Sequence, residues 1–390
     1  MYQGHRIIDG HVHYTGALDP ERFVGFLDGS GTDSANLAVI TRGKTIPDTA
    51  GALALKAMYP GRFTVFGALD PREYYRGGDA MGSRHAERAT ELLRCGCDGI
   101  KLLEGKPQLR RAFPIPDFDA PCWEAFWRSM EETQTPVLMH VNDPASFWDR
   151  EHIPSWARRM GWYYDDSYIN NEAQYAQLLT VLSRHPGLRI CFAHFFFLSE
   201  SLDRLGDILS KYESVRVDLT PGIELYEALS NTPERTGEFF YAFRGRILYG
   251  TDIGSRYVYG NRGKEFDGAE NARRHEIVRE FILGTEESLL RCDGHFVHDR
   301  PDFLLRPLGY AGDDADGLFS RAFLSFAGET PRPVDVDRSL YDCRRMLAAQ
   351  DEWAAVGMKR DDAGLTLTER RLSRMSTGNG YREDWQYVNT

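Results

Sequence analysis

The sequence predicts a (β/α)8 barrel with a C-terminal helical extension, an α/β fold of the TIM-barrel class. Three observations carry that prediction. Eight short runs rich in Val, Ile, Leu and Phe recur along the chain. They are continuously apolar rather than alternating, as parallel strands buried on both faces require. Each is followed by a stretch long enough for a helix, and strand–helix alternation repeated eight times closes most simply into a barrel. A doubly wound sheet competes, but no Gly-x-Gly-x-x-Gly turn follows the first run.

In chain order the strand candidates are Arg6–Gly10, Asn36–Thr41, Phe63–Ala68, Gly99–Leu103, Pro136–Val141, Arg189–His194, Val215–Leu219 and Arg246–Gly250. Helices are expected over Ala50–Tyr59, Arg84–Cys95, Trp123–Thr133, Glu172–His185 and Ser201–Tyr212. The segments "YPGRF" and "HPGLR" place a Pro-Gly turn just ahead of the third and sixth strands. Beyond Asp252 the pattern loosens. Ala269–Leu283 and Ala315–Phe326 read as helices, the second closing the barrel. Residues 1–330 are therefore assigned to the barrel. Residues 331–390, with a helix over Ser339–Met358 and a polar tail, form an appendage that packs on the barrel or on a second subunit. The connection from Asn142 to Asn171 carries Phe147, Trp148, Trp156, Trp162, Tyr163, Tyr164 and Tyr168. A loop that long and that aromatic is read as a lid over a pocket.

Composition excludes several classes. A net charge of −11 with no basic stripe argues against a nucleic-acid partner. No apolar run approaches the roughly 20 residues that span a bilayer, and no apolar segment follows the N-terminus, so a cytoplasmic protein without a membrane partner is expected. The six cysteines are scattered; Cys95-x-Cys97 matches neither a zinc knuckle nor a redox motif, and reduced thiols are expected.

In this fold the chemistry sits at the C-terminal ends of the strands. Read in order, those ends offer His11 and His13, Lys101, His140, His194 and Asp252. Residues two apart in a strand share a face, so His11 and His13 both project into the barrel mouth. With a third imidazole and a carboxylate they supply N/O ligands for a borderline divalent ion, zinc first, manganese or iron next. His5, His85, His152, His185, His275, His295 and His298 are read as ordinary core or surface residues.

The order His-x-His, Lys, His, His, Asp, carried by "IIDGHVH", "GIK", "PVLMHV", "AHFF" and "LYGTD", resembles the amidohydrolase superfamily. The His-x-His begins only eleven residues in, which points to the amidohydrolase-2 branch, the group of aminocarboxymuconate-semialdehyde decarboxylase, over residues 6–328. The resemblance implies one metal on His11, His13, His140 and Asp252, with His194 as the acid–base residue and Asp252 also able to accept a proton. A binuclear site bridged by carbamylated Lys101, with His194 as a further ligand, is the alternative it leaves open. The activity implied is hydrolysis of an amide, ester or lactone of a small carboxylate-bearing molecule by a metal-activated water. The alternatives are non-oxidative decarboxylation or hydration on the same scaffold, or a silent barrel that only binds. Substrate contacts are expected from Lys101, Arg72, Asn142, Trp148 and Arg256, with Arg42, Lys44 and Lys106 as further loop cations. A small-molecule substrate is the expected partner, and a homodimer the assembly the appendage would allow.

Overall fold

The computed structural model describes residues 1–16, 19–41, 44–255, 266–291, 302–360 and 362–378. Eight of its strands fall where the apolar runs predict them: β1 (Ile8–Tyr14), β2 (Ser34–Val39), β3 (Phe63–Ala68), β4 (Gly99–Gly105), β5 (Val137–Val141), β6 (Ile190–Phe192), β7 (Val215–Asp218) and β8 (Ile247–Leu248). A ninth, β9 (Ile253–Gly254), follows β8 directly, and the sheet order is β8-β7-β6-β5-β4-β3-β2-β1-β9. All the pairings are parallel.

β8 and β9 are two halves of one predicted strand. Leu219 N–H donates to the Leu248 carbonyl on one side, while Gly10 N–H donates to Tyr249, Asp252 N–H to His11 and Ser255 N–H to His13 on the other. That exchange of partners closes the sheet on itself, and it leaves Asp252 at a break in the ladder with φ +56°. Of the strand boundaries that differ from expectation, two bear on the histidines. β1 runs on through Tyr14, so His11 and His13 lie inside the strand rather than beyond its end. β6 stops at Phe192, so His194 lies past it.

The floor of the barrel is sealed by the helix expected to close it. Gly312–Asp316, a π-turn over Gly317–Arg321 and Ala322–Ala327 follow one another without interruption. Ala322, Phe323 and Phe326 plug the barrel end against Ile8, Ala38, Phe66, Leu138, Cys191, Ala193 and Leu248. A Cβ on Gly10 would stand 2.9 Å from both Phe323 and the Tyr249 carbonyl, so glycine is required at that crossing.

The appendage packs on its own barrel. Val336–Ala348 and Asp362–Ser376 lie against the helix Thr49–Met58. The anchor is Trp353, 1% exposed, with the Arg72 guanidinium 4.4 Å above its ring. Arg88 and Asp342 add a paired contact of 2.5 and 2.9 Å. The aromatic connection after β5 folds on a small core of its own, Phe147, Ile153, Ala157 and Tyr164. Cys95, Cys97, Cys122, Cys191 and Cys343 carry free thiols. No helix among the described residues is long and apolar enough to cross a membrane.

Candidate metal centre

His11, His13 and Asp252 meet where β1 pairs with β9, each offering one ligand atom, and these atoms lie within 4.8 Å of one another. Nε2 of His13 is 2.7 Å from Asp252 Oδ1, and Nε2 of His11 is 3.9 Å from the same oxygen. The period of two explains the first pair: on an extended strand His11 and His13 point to one face, and their rings stand 4.8 Å apart.

Two of the three, His11 and Asp252, are oriented by a buried partner. Nδ1 of His11 lies 2.8 Å from Oδ2 of Asp218 on β7. The other oxygen, Oδ1, accepts from the backbone N–H groups of His194 and Thr220 and from the Thr220 hydroxyl. Three donors on one oxygen suit an ionised carboxylate, so the proton sits on Nδ1 of His11 and Nε2 presents its lone pair to the cluster. Arg274, fully buried, donates to Asp252 Oδ2 at 3.0 Å and is itself held by Glu270 at 2.9 Å. Burial alone would raise the Asp252 carboxyl, but His13 and Arg274 outweigh it and hold it well below the usual range. Burial, reinforced by Lys101, pushes His11 well down. A neutral imidazole beside an anionic carboxylate is the protonation state that metal ligation needs.

Beneath the cluster, Asp9 ties β1 to the broken strand. It accepts from the N–H groups of His11 and Thr251 and from the Thr251 hydroxyl. Burial lifts its carboxyl to about 7.

Two further imidazoles face the same mouth. The rings of His140 and His194 are 5.0 Å apart, and those of His11 and His194 5.9 Å. Burial pushes His140 down to about 4 and His194 well below its ordinary value. Nε2 of each is buried with no hydrogen-bond partner, and Asp252 Oδ1 faces only the His11 and His13 nitrogens. Such orphaned groups are rare in a folded interior. Their convergence on one spot is what a missing cation would explain, so the donor set fits a divalent ion. His140 stands outside the group of three, its Nε2 3.4 Å from Asp143 Oδ1. Asp143 is fixed in turn by Lys106 at 2.8 Å and Tyr164 at 2.5 Å.

His194 begins an unusual turn. His194, Phe195, Phe196 and Phe197 all have φ between +51° and +58°, a left-handed run that costs roughly 1–2 kcal/mol per residue. Phe195 and Phe196 are buried against Phe240 and Phe192. Phe197 instead lies flat on His194, ring centres 5.0 Å apart. Within this run Phe197 is the residue that touches the site imidazoles, His140 and His194. With Asn142 (φ +65°) and Asp252, six of the eight non-glycine residues with positive φ among the described residues lie near the site, Gln3 and Gln134 being the others.

Lys101 donates to Nε2 of His11 at 3.0 Å, and burial lowers its ammonium to about 8. Several expected substrate contacts are placed elsewhere. Arg72 is committed to Asp70 through Nε and Nη2, to Glu352 at 2.9 Å and to the face of Trp353. The acid two residues earlier and the appendage use all its donor faces. Asn142 is buried, donating to the Asn171 carbonyl and accepting from Gln174, and so pins the base of the aromatic loop. Trp148 donates to the Ile169 carbonyl and packs on Tyr164 inside that loop. Lys44 lies over Phe113 and Lys106 over Trp162. Arg42 and Arg256 lie outside the described residues.

Residues 8–274 match the model of the amidohydrolase family of the second type. The chain belongs to that family. Amidohydrolases of this type are enzymes, and both hydrolases and decarboxylases stand among its structural neighbours. One similar structure is an uncharacterized TIM-barrel protein from Bordetella bronchiseptica (12% identity, TM-score 0.50, 83% of this chain and 99% of that one), a likeness of fold. Others are a probable 2-pyrone-4,6-dicarboxylic acid hydrolase from Acinetobacter baumannii (13%, TM-score 0.48, 83% and 99%) and a 5-carboxyvanillate decarboxylase from Novosphingobium aromaticivorans, solved with manganese (14%, TM-score 0.48, 84% and 97%). No curated protein matches the sequence.

The residues this amidohydrolase hides from sequence reading are the supporting ones: Asp218, Arg274, Glu270, Asp9 and Thr251. Asp218 in "VDLT" ends a strand, as the metal ligands do, and that position was the available signal. Arg274 and Glu270 sit four apart on the helix Gly268–Leu283, a spacing that reads as an ordinary exposed ion pair.

Proposed function

We propose that this amidohydrolase is a metal-dependent hydrolase of small amides, esters or lactones. His11, His13 and Asp252 would hold the ion, with His140 as the fourth donor the family pattern assigns. The N/O donor set suits zinc, with manganese or iron next. When bound, such an ion supplies Lewis acidity, which lowers the pKa of water and polarises a carbonyl.

The observation that carries the reading is His194. Its Nε2 is buried, unpartnered and next to the ligand cluster, and Phe197 stacks on the ring and holds its plane. A neutral imidazole with a free lone pair accepts a proton from water and returns it to a leaving group. Its backbone N–H is fixed by Asp218, the residue that also orients His11, so base and ligand move as one unit. Lys101 adds a donor at the same mouth for a substrate oxygen or carboxylate.

The test combines elemental analysis with product analysis. Protein from zinc-supplemented growth should carry close to one ion per chain and release acid, not carbon dioxide, from a panel of lactones and aryl carboxylates. Carbon-dioxide release in place of acid release, or less than roughly a third of an ion per chain, overturns the reading.

A further inference from the structure

β4 is not a regular strand. Its pairing with β5 slips between Leu102 and Gly105. A slip of this kind turns the next side chains away from their alternating faces. Here Lys101, Leu103 and Glu104 all line one small cavity with Val39, Ile40, Leu69, Pro71 and Phe113. In a regular strand Leu103 and Glu104 would face opposite ways. Gly105 allows the bend, because a Cβ there would stand 2.2 Å from the His140 carbonyl.

Glu104 is only 7% exposed in that cavity. One oxygen, Oε1, accepts from the Tyr74 hydroxyl at 2.8 Å. The other, Oε2, is buried and has no hydrogen-bond partner. Backbone N–H groups of Leu103 and Glu104 lie near the carboxyl, yet neither reaches Oε2 in bonding geometry. A buried carboxylate oxygen with nothing to accept from costs roughly 1–3 kcal/mol or more. Thr41 also lines the cavity, but its hydroxyl makes no bond to Oε2, and apart from it and Tyr74 the remaining walls are apolar. The cavity's cationic group is Lys101, which donates only and also touches His11. An acceptor on one wall and a donor on another match a hydroxyl, which both gives and takes a hydrogen bond.

We infer that the cavity between Lys101 and Glu104, whose volume of about 20 Å³ admits a hydroxyl and no ring, is a substrate subsite for the hydroxyl group of an apolar body held in the barrel mouth, the hydroxyl donating to Glu104 Oε2. The inference rests on the reading of the barrel mouth as an active site. Glu104 is a specificity residue that touches substrate, and Tyr74 positions it. A site built to bond a hydroxyl rejects the analogue that lacks it far more strongly than a greasy slot does, because the loser leaves Oε2 unpaired.

Phenol and its isostere toluene make the test, titrated by ligand-observed NMR against full-length protein, both zinc-loaded and metal-stripped. Phenol should bind at least about ten-fold more tightly than toluene. A crystal soaked in phenol should place the hydroxyl within hydrogen-bonding reach of Glu104 Oε2. In Glu104→Leu the preference should collapse to within about two-fold, while Tyr74→Phe, which frees a second carboxylate oxygen, should keep it. Equal binding of the two probes, no binding of either, a phenol hydroxyl bound elsewhere in the crystal, or a preference that survives in Glu104→Leu overturns the inference. The crystal keeps the question decidable if Glu104→Leu does not fold. Because the subsite needs no ion, a preference seen in metal-stripped protein stands even if the metal analysis fails, and its absence leaves the metal reading untouched.

Discussion

Arg274 holds one oxygen of Asp252 at 3.0 Å, and the other faces His13 at 2.7 Å. The guanidinium fixes both the charge and the direction of the carboxylate, so the ligand oxygen is aimed before any ion arrives. Partners of this kind typically govern ten- to hundred-fold in metal affinity. Arg274→Gln should weaken zinc binding by about that factor in a chelator-competition titration. It also leaves Asp252 and Glu270 buried without a counter-charge, so a drop in melting temperature should accompany it. Unchanged affinity would show that Asp252 is not a ligand.

Asp218 touches His11 on one side and the His194 backbone on the other. Asp218→Asn keeps the shape but frees Nδ1 of His11 to lose its proton, which misdirects Nε2. Zinc affinity should fall about ten-fold or more while the far-ultraviolet circular dichroism stays unchanged. Retained affinity at wild-type level would assign Asp218 to strand packing alone.

His85 gives a pH prediction away from the site. It is wholly buried, stacked on Trp123 with ring centres 5.3 Å apart, and both nitrogens lack partners. Burial lowers it to about 3. The unfolded chain therefore binds the proton first as pH falls, so stability present above about 6.5 is lost progressively down to about 3. His85→Phe preserves the stack and removes that loss. Its stability relative to wild type should rise by an amount on the order of 4 kcal/mol between pH 7 and pH 3. A difference that stays flat in denaturant melts across that range would contradict the burial of a neutral imidazole.

Trp353 tests the appendage. Its ring is buried, with Arg72 across its face, and Arg72 also reaches Glu352. Trp353→Ala should cost about 3–5 kcal/mol by cavity formation and the lost cation contact. A melting curve within a degree of wild type would mean the appendage is not part of the cooperative unit.

Much of the fold was legible because burial on both faces makes barrel strands continuous apolar runs. The cluster of His11, His13 and Asp252 was legible because strand ends are where this architecture puts its chemistry. Arg72, Asn142 and Trp148 have partners within the chain that the sequence does not reveal, for one shared reason. A polar side chain after a strand points to substrate only if no neighbour claims it, and Asp70, Gln174 and the Ile169 carbonyl are neighbours in space that local patterning does not rank. Glu104 escaped notice because its direction comes from a slip in strand pairing, a property of two strands that neither run displays alone.

The interrupted last strand has a consequence for how the barrel stays shut. His13 sits on one lip of the final seam, and Asp252 marks the break on the other. An ion gripped by both would be a clasp across a join between chain segments some 240 residues apart, and whatever binds the closed form alone adds its binding energy to closure by mass action. Cofactor loading and hoop integrity would then be one equilibrium: stripping the ion would slacken the stave where first and last strands meet, and tightening that stave would sharpen the grip.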